Sequence, residues 1–317
     1  MSLYQEARPA VFKDVVGNKE AIAVLTAALA KEKRPHAFLF HGKSGCGKTT
    51  LARIVARELG CDVDVNGSTD YVEVNASNTR GIDDVRRLVA DTMYPPITGG
   101  VRVTVVDECH ALTKDAQNCI LKPLEDTPTY QYWCLCTTEP NKLLKTILTR
   151  CTHIEVKGLT EDDVFNLLVH TVQRFLPDQD PGDDVLNAIA ARADGCPRTA
   201  LTMLENAKGL KPEDAMAAVK NFQTKETQAF DLCRAMADSK PWSTVASIYN
   251  GLEDTDPEGL RRMLLGYLKS CLLKSKDQAA ARRFAGMIEE LSKNTFDSGE
   301  AGLLAQMWNA TRVAKGD

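Results

Sequence analysis

The stretch HGKSGCGKTT, residues 41–50, packs three glycines, two lysines and two threonines into ten positions. From Gly42 to Thr49 it fits the spacing G-x-x-x-x-G-K-[ST], in which glycines let the backbone turn until its N–H groups converge on phosphate oxygens. Lys48 is then the ammonium for the β- and γ-phosphates and Thr49 the hydroxyl for Mg²⁺; Gly42, Ser44, Gly45, Cys46, Gly47 and Thr50 complete the cradle. The competing reading is a glycine-rich turn that binds nothing. The apolar run HAFLFHG before the loop and the helical run KTTLARIVARELG after it favour the phosphate site, because a helix beginning there aims its positive dipole end at an anion.

Holding phosphates is not yet hydrolysing them. A second acidic position is needed, and VRVTVVDE (101–108) supplies it at the end of an apolar run. Asp107 is placed to hold Mg²⁺ through water, and Glu108 to polarise an attacking water. An Asp-Glu pair at a strand end is otherwise surface charge; its position downstream of a phosphate loop favours the catalytic role. His110, in the same DECH stretch, is given no chemistry.

The elements that must position these residues alternate. HAFLFHG (36–42), YVEVNA (71–76), VRVTVVDE (101–108), YWCLCTTE (132–139) and CTHIEVKG (151–158) read as strands; residues 48–60, 81–93 and 114–126 read as helices, with Pro123 expected to kink or end the last. Strands separated by helices predict an α/β core with a parallel sheet covered on both faces. After Gly158 the strand signal stops. Thr160 with Asp163 makes a weak capping box, and the remaining apolar positions fall at helical spacing. The organisation predicted is a nucleotide-binding core over 1–158, a small helical domain over 159–225 and a second helical domain over 226–317.

Length and composition bound the rest. A chain of 317 residues calls for two or three domains. No apolar run approaches the roughly 18 residues that span a bilayer, and MSLYQEARPA lacks the basic start and apolar core of a secretory signal, so a cytoplasmic protein without membrane association is expected. The ten cysteines are scattered with no C-x-x-C pair, which argues against a disulfide framework or a zinc site. The net charge of −4 argues against a generic nucleic-acid binder; any DNA contact must be local or shared among chains.

Seven segments, EARPAVFKDVVGNKEAI, HAFLFHGKSGCGKTTLA, VEVNASNTRGIDDVR, VTVVDECHALT, LKPLEDTP, TTEPNKLLKTILTRC and GCPRTAL, occur in the order and spacing of clamp-loader AAA+ ATPase subunits. The chain resembles this family, in particular bacterial DNA polymerase III gamma/tau and the small subunits of replication factor C. The resemblance is strong over residues 6–205; in the C-terminal third only length and helicity match the family's collar domain. It implies ATP and Mg²⁺ as ligands, a helical lid over 159–225 and a collar over 226–317. Arg8, Pro9, Val16 and Gly17 match the segments that line the adenine. Thr138 matches the first sensor and Arg198 the second, on the lid. Arg150 matches the arginine that acts on a neighbouring subunit's ATP, with Thr149 where the family has Ser, so an oligomer is implied, pentameric and of like or unlike subunits. The family's four-cysteine zinc module is replaced by CDVDVNGSTD, with Cys61 alone, and no zinc is expected.

The resemblance also implies a sliding clamp and primer–template DNA as partners, at the nucleoid or replisome. Arg80, Arg86 and Lys114, at or near helix starts, would follow the DNA backbone; a solvated helix face is the rival, since Asp83 and Asp84 share the helix of Arg86. The expected function is an ATP-hydrolysing clamp-loader subunit. The alternatives are another AAA+ DNA motor, such as a branch-migration helicase, or a non-hydrolysing structural subunit; Lys48, Thr49, Asp107 and Glu108 together disfavour the latter.

Overall fold

The computed structural model describes residues 2–63, 70–78, 81–97, 100–222, 225–252, 256–275, 277–295 and 298–313. Five strands, β1 (Ala37–His41), β2 (Tyr71–Asn75), β3 (Arg102–Asp107), β4 (Gln131–Thr137) and β5 (Thr152–Glu155), form one sheet in the order β2-β3-β4-β1-β5, with every pairing parallel. The three middle strands are almost wholly buried, and they read in sequence as near-continuous apolar runs for that reason.

Residue alternation splits the core between the two faces. Phe38, Phe40, Val105 and Cys134 pack with Leu25 of α2 (Lys19–Leu29) and with Leu51, Ile54 and Val55 of α3 (Lys48–Glu58), while the short α1 (Leu3–Glu6) precedes them in the chain. On the other face Leu39, Val106, Trp133 and Leu135 pack with Val85 and Leu88 of α4 (Ile82–Thr92), Ile120 and Leu124 of α5 (Lys114–Glu125) and Ile147 of α6 (Lys145–Leu148). Helix α5 does not end at Pro123 but runs two residues further, to Glu125. Proline so near a C-terminus removes one intrahelical bond from the last turn, where the helix is about to stop anyway.

Four helices follow: α7 (Glu161–Phe175), α8 (Asp183–Arg192), α9 (Pro197–Ala207) and α10 (Pro212–Asn221). The Thr160 hydroxyl caps α7 by accepting from Asp163 N at 3.1 Å, the bond that the capping pattern called for. Residues 1–221 make one compact unit and residues 222–317 a second. The second holds α11 (Lys225–Ala237), α12 (Trp242–Asn250), α13 (Pro257–Lys274), α14 (Gln278–Glu290) and α15 (Gly299–Val313) around its own core of Leu264, Leu268, Met287, Leu291, Leu303 and Met307. Among the described residues no helix is long and apolar enough to cross a membrane.

Candidate functional site

Parallel register brings the carboxyl ends of the strands to one edge of the sheet. Asn75 ends β2 opposite Asp107 of β3, and His41 of β1 lies opposite Thr137 of β4. Open α/β sheets bind ligands beyond this edge. The cavity there measures about 300 Å³.

The loop leaving β1 borders it. Gly45 and Gly47 take φ of 70° and 103°, values open to glycine and strained for other residues. Gly47 is also the N-cap of α3, so the loop delivers the first N–H groups of that helix to the cavity. Lys48 is buried, its Nζ donating to the carbonyls of Gly42 (3.0 Å) and Lys43 (2.9 Å). The Thr49 hydroxyl donates to Asp107 Oδ2 at 2.9 Å. The other oxygen, Oδ1, accepts from Glu108 N at 2.9 Å. Glu108 has a left-handed backbone, φ 50°, an uncommon conformation for a glutamate. Its Oε2 accepts from Thr138 Oγ1 at 3.3 Å and lies 3.3 Å from His110 Nδ1.

Arg8, Pro9, Val16, Ser44, Gly45, Cys46, Gly47, Lys48, Thr49, Thr50, Asp107, Glu108 and Arg198 all line this one cavity. Burial lowers the pKa of Arg8, and the Arg53 guanidinium lowers it further, with Glu73 opposing. Gly42 and Gly17 do not line the cavity; Gly17 turns beneath Leu159, which does, so closely that an added Cβ would lie 2.5 Å from the leucine side chain. Thr138 reaches the cavity through Glu108. Arg150 stands apart, its guanidinium bound to Glu125 Oε2 at 2.7 Å and to the Thr146 carbonyl at 2.9 Å.

Of the residues considered for DNA, Arg86 pairs with Asp83 at 3.1 Å, both exposed, and Lys114 is the exposed first residue of α5. Arg80 lies outside the described residues. Cys61 is buried, its thiol donating to the Asp70 carbonyl at 3.3 Å, and burial pushes its pKa up to about 11. Among the described residues no group of three or more His, Cys, Asp and Glu side chains is placed to hold a metal ion.

Three neighbours of the site have no clear sequence signal. Tyr4 lines the cavity, with the Arg198 guanidinium 5.5 Å from its ring centroid, a cation–π distance. Asn75 lines it from the end of β2; a polar residue closing an apolar strand was the only available hint. His110 bonds Thr137 Oγ1 at 3.0 Å as well as approaching Glu108, so it belongs to the surroundings of the candidate catalytic carboxylate.

A five-stranded parallel sheet of this order, with a glycine loop after β1 and acidic residues at the end of β3, is the AAA+ P-loop fold. The RuvB Holliday junction branch migration motor of Thermotoga maritima superposes with a TM-score of 0.60 over 81% of this chain and 85% of that one, at 20% identity, a likeness of fold alone. The family described as DNA polymerase III, delta subunit, matches residues 17–160. DNA polymerase III subunit gamma of Buchnera aphidicola is 30% identical over 224 residues, 66% of this chain and 61% of that protein. Subunit tau of Bacillus subtilis is 34% identical over 236 residues, 68% of this chain and 42% of its own length. The chain thus spans less than two thirds of these curated relatives. The fold is of the AAA+ kind, and in sequence the chain is similar to the gamma and tau subunits of DNA polymerase III.

Proposed function

We propose that the chain is an ATP-hydrolysing clamp-loader subunit which, with further subunits, opens a sliding clamp and places it on primer–template DNA. One contact carries most weight: Thr49 and Asp107 meet at 2.9 Å in the cavity that also holds Lys48, Glu108 and Arg198. Hydroxyl and carboxylate oxygens suit a hard cation, so Thr49 and Asp107 would hold Mg²⁺, which when bound neutralises charge on the phosphates. Lys48, anchored on two loop carbonyls, turns its ammonium to the β- and γ-phosphates. Glu108 orients the attacking water and draws on its proton, with Thr138 fixing the carboxylate's direction. Arg198, beside Tyr4, approaches the phosphates from α9. Arg8, Pro9 and Val16 surround the base.

Residues 159–225 serve as the lid and 226–317 as the collar that joins subunits. Arg150 acts on the nucleotide of a neighbouring subunit, in keeping with its position outside its own cavity lining. Arg86, Lys114 and Arg80 contribute to a DNA channel shared among subunits, each adding a phosphate contact without reading bases.

Two variants in the assembled complex test the chemistry. Lys48→Ala should lose nucleotide binding; Glu108→Gln should keep binding and lose turnover by about 10²-fold or more. Parental hydrolysis in Glu108→Gln would remove Glu108 from the water-polarising role. Primed DNA and clamp together should raise the rate. If no primed DNA stimulates the full complex, the clamp-loading part fails and other AAA+ motors come forward.

A further inference from the structure

Cys46 of the phosphate loop and Cys196, the N-cap of α9, reach the same atom. Each sulfur lies 3.7 Å from the Ser44 carbonyl oxygen, which has two lone pairs and can accept from both. The two sulfurs are therefore no further apart than two such contacts laid end to end. A third observation fixes how tightly the loop meets the helix. An added Cβ at Gly45 would collide with Cys196 Sγ and lie 3.4 Å from Arg198 Cβ. Beside them Lys43 Nζ pairs with Asp194 at 3.2 Å. Chain segments far apart in sequence thus meet with a thiol on each side.

The two thiols differ in access. Cys46 is 5% exposed, and burial pushes its pKa up; Cys196 is half-buried and open to solvent on one side. The remaining thiols of unit 1 lie away from the phosphate loop and α9: Cys61, Cys134 and Cys136 are buried on one face of the sheet, and Cys109, Cys119 and Cys151 pack on the other.

We propose that Cys46 and Cys196 are a dithiol modification site, which a low-molecular-weight disulfide such as oxidised glutathione converts to an internal disulfide that ties the phosphate loop to α9 and slows nucleotide exchange. The gating half rests on the cavity being the nucleotide site. The Cys196 thiolate attacks the small disulfide, forms a mixed disulfide and releases one glutathione thiolate. The Cys46 thiolate then attacks Cys196 Sγ, breaks the mixed disulfide and releases the second. The protein loses two protons and two electrons; one oxidised glutathione becomes two reduced ones. The sulfurs must close to about 2 Å, by movement of the two side chains around the carbonyl they share. Cys196 does not line the cavity, so its thiol can be replaced without altering the lining.

The test uses the full chain in its native assembly. It is treated with oxidised glutathione, blocked with N-ethylmaleimide and digested, and the peptides are mapped by mass. The expected product is a linked peptide pair containing residues 46 and 196. Release of a fluorescent ADP analogue should slow at least tenfold and recover with dithiothreitol. Cys196→Ser should bind and release the analogue like the parent and ignore the oxidant. A map showing only glutathione adducts would overturn the pairing. An internal link that leaves release unchanged, or a Cys196→Ser chain slowed as much as the parent, would overturn the gating. A parent that binds no analogue before oxidation removes the nucleotide assignment and the gating with it, while the peptide map still decides the thiol pair.

Discussion

Asp107 and Glu258 are both carboxylates held by good donors, and they differ in what is left over. Asp107 accepts two hydrogen bonds, from Thr49 Oγ1 and from Glu108 N, and it borders the cavity. Glu258, at the start of α13 in the second unit, accepts from Arg261 Nε (2.8 Å) and Nη2 (2.6 Å), Arg262 Nε (2.9 Å), and Thr295 N (3.0 Å) and Oγ1 (3.1 Å). Its side chain is 7% exposed. A carboxylate offers about four acceptor sites, so Glu258 is saturated while Asp107 keeps capacity for something that enters from solvent. The first arrangement leaves acceptor capacity facing the cavity. The second serves the packing of α13 against the turn after α14, where Arg261 also donates to the Leu291 carbonyl at 2.6 Å.

The sharpest way to break this contrast is to neutralise each acid. Asp107→Asn should cost about 10³-fold in ATP turnover and about 1 kcal/mol or less in stability, measured by steady-state hydrolysis and by denaturant melts on the same sample. Glu258→Ala should do the reverse. It leaves Arg261 buried without its partner, a loss of about 3–5 kcal/mol confined to residues 222–317, with nucleotide affinity unchanged. Hydrogen exchange along α13 reads the first part, and a nucleotide titration the second. Comparable turnover losses in both variants would erase the distinction.

Acid gives a gentler version. Bonding to Arg261 holds the Glu258 pKa well below its ordinary value of 4.5, against the opposing effect of burial. A depressed folded-state pKa stabilises above the unfolded value and is lost as pH falls through the carboxylate range toward the folded one. The second unit should therefore weaken below about pH 4.5, and Glu258→Gln should flatten that dependence in pH-resolved melts. The smallest effect is expected at Lys114. Lys114→Ala should raise the DNA concentration needed for stimulation a few-fold and make its salt dependence shallower by about one counterion, with the DNA-free rate unchanged.

Legibility followed the range of the interactions. Gly42 to Thr49 and Asp107 with Glu108 were readable because each lies within one short segment whose flanking apolar runs declare strand or helix. The Thr160 cap was readable for the same reason, its partner being three residues away. Asn75 was not, because its place beside Asp107 exists only once β2 and β3 are in register. Tyr4 sits on a four-residue helix too short for any periodicity, and its contact with Arg198 comes from the packing of α1 on α9, tied by Leu3 N to Glu205 Oε1 at 3.2 Å. His110 has Glu108 two residues away, but its bond to Thr137 exists only once β4 lies beside β3. Pro123 carried a correct local penalty that the end of α5 tolerates.

The strand order has a consequence for how the protein is made. β1 has no sheet neighbour among the residues synthesised next; its two partners are β4 at residues 131–137 and β5 at 152–155. At roughly 5–20 residues per second, the ribosome needs on the order of ten seconds to deliver them. Through that interval Phe38, Leu39 and Phe40, all fully buried in the finished sheet, must be sheltered in some other way, by transient collapse or by a chaperone. A nascent chain arrested before β4 carries the whole phosphate-loop motif and the β2–β3 pair, and lacks the strand that sets them side by side.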